Sequence, residues 1–204
     1  MTVNGLRSHP LNLISVDTDV RKRGKLMKQS FSVKGLAVAG VCIALAYVLS
    51  FIKIFSAPLG GSVTLLSMFF ICVIGYFYGW KYSLAAALAY GILQFVQKPE
   101  IYTPLQVIID YGCAFTALGI SGFFRNQKYG LQLGYLAGVT GRFIFSTLSG
   151  FVFFGEYAPE GWNPLIYSIC YNGSYIYIEA AITLIILAVP AVSKAINRVK
   201  NTLI

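Results

Sequence analysis

Three ionisable side chains, Asp110, Arg142 and Glu179, interrupt long apolar stretches of the 204-residue sequence. In hydrocarbon such a group costs several kcal/mol unless it is paired or faces a polar cavity, so each is a candidate functional residue. Their neighbours repeat at helical spacing. Tyr102, Gln106 and Asp110 follow at i, i+4 and i+8, while Arg142, Ser146, Ser149 and Gly150 share one face with Phe153 and Phe154 a turn further on. A third stripe runs through Tyr171, Asn172, Tyr175 and Glu179 and approaches Tyr167 and Ser168. Brought together, the three stripes surround a pocket with a carboxylate, an amide, hydroxyls and aromatic rings. That chemistry suits a small, flat, partly cationic organic molecule: the carboxylate neutralises positive charge, ring faces add cation–π attraction, and the amide pairs with a heteroaromatic edge. The structural alternative is that Tyr, Ser and Asn glue membrane helices together. For Arg142 and Glu179, near mid-depth of neighbouring spans, the simplest expectation is a structural ion pair.

The elements that must position these residues follow from composition. With 57% hydrophobic and 11% charged residues and a mean hydropathy of +0.70, a soluble fold would have to hide too much apolar surface. The sequence predicts an all-α integral membrane protein with six transmembrane helices, at roughly residues 35–56, 62–80, 82–97, 103–124, 131–155 and 164–193. At about 1.5 Å per residue, Asp110, Ser146 and Asn172 then lie about 10–13 Å below the outer ends of their helices, at one level. Sixteen Lys and Arg outnumber seven Asp and Glu. Six alternating spans place thirteen of the sixteen, including Lys34, Lys81, Arg125, Lys128, Lys194, Arg198 and Lys200, on the side of the termini. The positive-inside rule makes that side cytoplasmic, so the net charge of +9 orients the chain in its bilayer, and nucleic-acid binding is not expected. The expected divisions are a basic cytoplasmic tail over 1–34, a membrane domain over 35–195 and a cytoplasmic end over 196–204.

Several chemistries are not expected. The one histidine, His9, lies in the polar tail, so a Ser–His or His–metal centre inside the membrane lacks support. Cys42, Cys72, Cys113 and Cys170 lack metal-ligand spacing and read as small packing residues. No glycine-rich nucleotide loop occurs, so a transporter built on this chain takes its energy from another subunit. No resident cofactor is expected. Small residues at helical spacing in the first span, Gly40 and Ala44 above all, permit close helix approach, either within the chain or to a partner.

Two segments, Tyr102 to Tyr111 and Glu156 to Gly173, resemble the thiamine-specific substrate-binding subunit of energy-coupling factor transporters. The resemblance implies six membrane helices that capture a vitamin from outside, topple in the membrane and deliver it to a module of one transmembrane coupling protein and two ATPases. It implies thiamine contacts at Asp110, Tyr111, Phe154, Tyr167 and Asn172, and docking of the coupling protein at Gly40 and Ala44. Ser146 stands where the family has His, Phe154 where Trp is more typical, Glu100 where a Tyr is expected, and Asp110 where Glu is common. Gln106 and Gly150 complete the expected pocket. Within the family, a thiamine precursor, a phosphate ester or riboflavin are alternative ligands. Outside it stand an intramembrane enzyme using Asp110 or Glu179 as acid or base, and a scaffold protein without a ligand.

Overall fold

In a computed structural model, residues 32–57 and 61–203 are described. The basic tail expected over 1–34 lies outside them except for its last three residues. The described chain forms seven helices and one β-hairpin. The helices are α1 (Val33–Ser50), α2 (Ser67–Tyr78), α3 (Trp80–Gln97), α4 (Pro104–Phe124), α5 (Gly130–Phe153), α6 (Pro164–Ala188) and α7 (Pro190–Leu203). The hairpin pairs β1 (Lys53–Ser56) with β2 (Ser62–Thr64).

Of the six expected spans, four helices are long and apolar enough to cross a membrane: α1, α4, α5 and α6. The second, α2, has only 12 residues, about 18 Å of helix against a hydrocarbon core of about 30 Å. Its missing depth corresponds to the hairpin. The first span, expected to reach residue 56, ends at Ser50, whose hydroxyl donates to the Tyr47 carbonyl at 2.6 Å. Beyond it, Ile52, Ile54 and Phe55 favour extended backbone, and Lys53 and Ser56 align with Thr64 and Ser62 across the antiparallel pair. The last span, expected over 164–193, breaks after Ala188. Pro190 has no N–H to donate and disfavours helical backbone at Val189, which is extended (φ −67°, ψ 119°). The division expected at residue 196 therefore falls inside α7.

Close backbone contact sets the arrangement. Gly79 links α2 to α3 at φ 88°, a conformation that favours glycine. Along α5, Gly130, Gly134 and Gly138 meet carbonyls of Phe124, Ser121 and Leu118, and an added Cβ would come within 2.2, 2.6 and 2.8 Å of them. The end of α4 from Ala117 to Phe124 is wound as a tighter 3₁₀ helix. There Gly122 lies against the backbone of Trp80, whose ring stacks on Phe123 at 5.5 Å. Small residues admit such approach where lipid supplies no hydrophobic force between helices.

The expected Arg142–Glu179 ion pair does not form. Glu179 is 2% exposed and accepts instead from the Thr64 hydroxyl (2.7 Å), the Thr64 and Met68 amides (3.0 and 3.3 Å) and the Ser67 hydroxyl (3.1 Å). Those donors end β2 and begin α2, where the helix leaves first-turn N–H groups free to bind an anion. Glu179→Ala would strip four donors of their acceptor. A loss of about 3 kcal/mol is expected, read as a lower thermal-unfolding midpoint and faster amide exchange over β2, with a smaller loss for Glu179→Gln.

Candidate functional site

The side chains of Asp110 and Tyr111 stand on a turn that departs from the α-helix. Thr103 caps α4 by accepting from the Gln106 amide at 3.1 Å, and Pro104 occupies the first helical position. From Ile108 to Cys113 the backbone then widens into a π-helix. Such turns recur at functional sites because the extra residue re-aims the side chains around it. Opposite the turn lies Gly91 of α3, whose added Cβ would sit 2.1 Å from the Tyr111 carbonyl oxygen.

Asp110 and Tyr111 line a cavity of about 180 Å³ enclosed by α3, α4, α5, α6 and the hairpin. Of the residues expected from sequence, Glu100, Ser146, Gly150, Phe154, Tyr167 and Asn172 line it with them. Gln106 does not. It is 1% exposed, its Nε2 donates to Asp110 Oδ2 at 2.6 Å, and its Oε1 accepts from the Tyr102 amide at 3.2 Å. It therefore orients the carboxylate, and it realises the i, i+4, i+8 stripe as a chain of hydrogen bonds. Among the described residues no cation lies within ion-pair distance of Asp110; the ion pair present is Lys98–Glu100 at 2.7 Å.

Asn172 is 5% exposed and largely engaged. Its Nδ2 donates to the Ser168 and Ser146 carbonyls (3.0 and 3.3 Å), and its Oδ1 accepts from Tyr175 at 2.7 Å. The second Oδ1 lone pair stays available. Gly150 allows this junction of α5 and α6, since a Cβ there would come 2.3 Å from Ser168 Oγ. Tyr111 is fixed as a ring platform, donating to the Lys98 carbonyl at 2.7 Å and stacking on Phe115 at 6.3 Å. At the outer rim Phe154 meets Tyr102 edge-on at 4.7 Å, and Tyr167 stacks on Tyr171 at 6.0 Å.

The sequence reading missed part of the wall. Tyr90, Gln94 and Gln97 line the cavity at i, i+4 and i+7 of α3, a stripe with the same signal as those on α4 and α6. Gln97 accepts from Ser50 at 2.9 Å, whereas Gln94 Nε2 is buried without a hydrogen-bond partner. Lys53 and Gly61 come from the hairpin, and the Gly61 amide donates to the Tyr171 hydroxyl at 3.0 Å. Arg142 also lines the cavity, its guanidinium 4.4 Å from the Phe115 ring centre. Its Nε is buried and unsatisfied. The cavity thus offers a carboxylate without an ion-pair partner among the described residues, a guanidinium whose Nε lacks a hydrogen bond, an unfilled amide donor and several aromatic faces.

Elsewhere, Gly40 and Ala44 lie exposed on α1, and nothing would come within 4 Å of a Cβ at Gly40. Gly40 and Ala44 are thus not used for packing within the described chain, whereas the small residues Ala39 and Ala46 of the same helix are buried in the core.

Residues 36–198 match the family model described as thiamine transporter protein. The chain is 33% identical over 184 residues to the thiamine transporter ThiT of Bacillus subtilis, an alignment covering 81% of this chain and 95% of that one. It is 27% identical over 121 residues to ThiT of Lacticaseibacillus paracasei, covering 51% and 60%. The solved structure of ThiT from Listeria monocytogenes superposes with a TM-score of 0.63 at 28% identity, covering 77% of this chain and 94% of that one.

The Gly91 contact makes a separable prediction. Gly91→Ala should destabilise the fold by about 1–3 kcal/mol and weaken ligand binding by displacing the turn that carries Asp110 and Tyr111. Gly112→Ala, whose Cβ would meet only Ile108 at 3.9 Å, should leave binding intact; thermal unfolding with and without ligand distinguishes the two.

Proposed function

Because the chain belongs to the thiamine transporter protein family, we propose that it is the substrate-binding subunit of an energy-coupling factor transporter, holding thiamine in the cavity between α3, α4, α5 and α6. The family consists of multi-pass membrane proteins of transport, not enzymes. The observation that carries the site assignment is Asp110: a carboxylate among apolar helices, aimed by Gln106 into a cavity, with no cation within ion-pair distance among the described residues. Thiamine brings a permanent positive charge on its thiazolium ring and a flat aminopyrimidine with donors and acceptors on its edge. Asp110 supplies the counter-charge, Tyr111 and Phe154 supply ring faces, and Tyr167, the spare Asn172 lone pair and Gln94 Nε2 read polar edges.

Two of the departures from the family pattern, at Asp110 and Phe154, are compensated locally. Asp110 is one methylene shorter than Glu, and its 2.6 Å bond from Gln106 fixes the direction of the charge. Phe154, in place of Trp, is extended by the edge-on ring of Tyr102. For delivery, the exposed Gly40–Ala44 face on α1 offers a transmembrane coupling subunit a smooth surface, and two ATPases complete the module. A second reading rests on Arg142, whose unpaired guanidinium on the cavity wall favours a ligand that also carries an anionic group, such as a phosphate ester of thiamine.

Calorimetric titration of the purified protein tests both readings. Asp110→Ala should lower thiamine affinity roughly 100-fold without unfolding the protein, and Gln94→Leu roughly tenfold. Arg142→Gln should leave thiamine affinity nearly unchanged and weaken a phosphate ester selectively. Unaltered thiamine binding by Asp110→Ala would sink the site assignment.

A further inference from the structure

A second cavity lies between α1, α2 and α7, on a different set of walls from the first. It has a volume of about 460 Å³ and no polar surface; Val38 and Val41 of α1, Phe70 and Phe77 of α2, and Ile196 and Val199 of α7 form much of it. The groove ends among cations. Lys34, at the start of α1, reaches across to the Thr202 carbonyl of α7 at 3.3 Å. Lys200 holds its ammonium 3.5 Å over the ring centre of Tyr76, beside Phe77, while Tyr76 donates to Asn197 of α7 at 2.7 Å. Lys34 stands one turn before Val38 on α1 and Lys200 directly after Val199 on α7, and Val38 and Val199 are wall residues of the groove.

Among the described residues no side-chain carboxylate forms an ion pair with Lys34 or Lys200. The side-chain carboxylates of the described residues are Glu100, Asp110, Glu156, Glu160 and Glu179. Glu100 and Asp110 line the first cavity, Glu179 is enclosed by the hairpin, and Glu156 and Glu160 lie in the α5–α6 connection. Burial, and then the neighbouring Arg125, lower the pKa of Lys200. An arriving anion would counteract both by stabilising the charged ammonium. Lys194 and Arg198 add further positive charge along α7, whose apolar face at Val192, Ile196 and Leu203 packs on the core. This is the construction of a helix seated in the interface with its cations at headgroup level.

We propose that this groove binds an anionic phospholipid, with an acyl chain lying along Val38, Val41 and Ile196 and the phosphate held between Lys34 and Lys200. Apolar walls recognise the chain, and two lysines without a carboxylate partner among the described residues select net negative charge over a zwitterionic headgroup. The site is independent of thiamine recognition, so ligand affinity serves as the control for folding.

The test uses full-length protein stripped of lipid in a neutral detergent, then offered phosphatidylglycerol or phosphatidylcholine of identical acyl chains. Native mass spectrometry should show at least one phosphatidylglycerol retained in preference to phosphatidylcholine, and phosphatidylglycerol should raise the thermal midpoint further. Lys34→Gln with Lys200→Gln should cut that preference about tenfold or more, at about 1 kcal/mol for each cation, while thiamine affinity stays unchanged. Val199→Trp, which fills the groove and keeps the charges, should reduce retention of both lipids. Equal retention of the two lipids by the unaltered protein, or a preference that survives both variants, would overturn the proposal.

Discussion

A carboxylate enclosed among apolar helices must be given donors, and Glu179 obtains all of its donors from a single stretch of chain. Thr64, Ser67 and Met68 can reach it only if the segment after α1 folds back against α6. That requirement ends α1 early, shortens α2 and turns the intervening residues into a hairpin that closes one side of the cavity. The bilayer tolerates such irregular backbone because it lies against protein and a polar cavity instead of lipid. A hydrogen-bonded cluster on α6 thus decides where Lys53 and Gly61 stand in the first cavity.

Within that cavity polar groups divide into spent and unspent. Asn172 and Tyr111 are largely consumed by the structure, Asn172 joining α5 to α6 and Tyr111 fixing the chain at Lys98 and Glu100. Asp110, Gln94 and Arg142 keep capacity that nothing in the described protein uses. Spent groups hold the shape and unspent groups remain open to a ligand, which could therefore be met without breaking the network that makes the pocket.

The polar stripes were legible because a helix repeats every 3.6 residues and a membrane penalises polar groups that lack a purpose. Asp110, Ser146, Gly150, Phe154, Tyr167 and Asn172 meet around one cavity for that reason, whereas Tyr111 was indicated by the family resemblance alone. The same rule, applied to α3, would have included Tyr90, Gln94 and Gln97. Other features were not legible. Pairing Arg142 with Glu179 was reasonable from depth alone, but a hairpin with four donors was invisible to a reading that counted helices. The π-turn at Ile108–Cys113 has no compositional mark, whereas the length of the last apolar run already demands a tilt, bend or protrusion, and Pro190 fixes where the break falls.

The glycine contacts of α5 with α4, and of α4 with α3, bear on mechanics as much as on packing. Where backbones touch without side chains between them, no rotamer can yield, and the helices can slide only by separating. The hairpin is joined differently, through Glu179, Tyr171 and a few other polar groups whose bonds can be exchanged one at a time. The molecule is thus joined in two ways, by backbone contact at the glycines of α3, α4 and α5 and by exchangeable hydrogen bonds where the first cavity meets the hairpin.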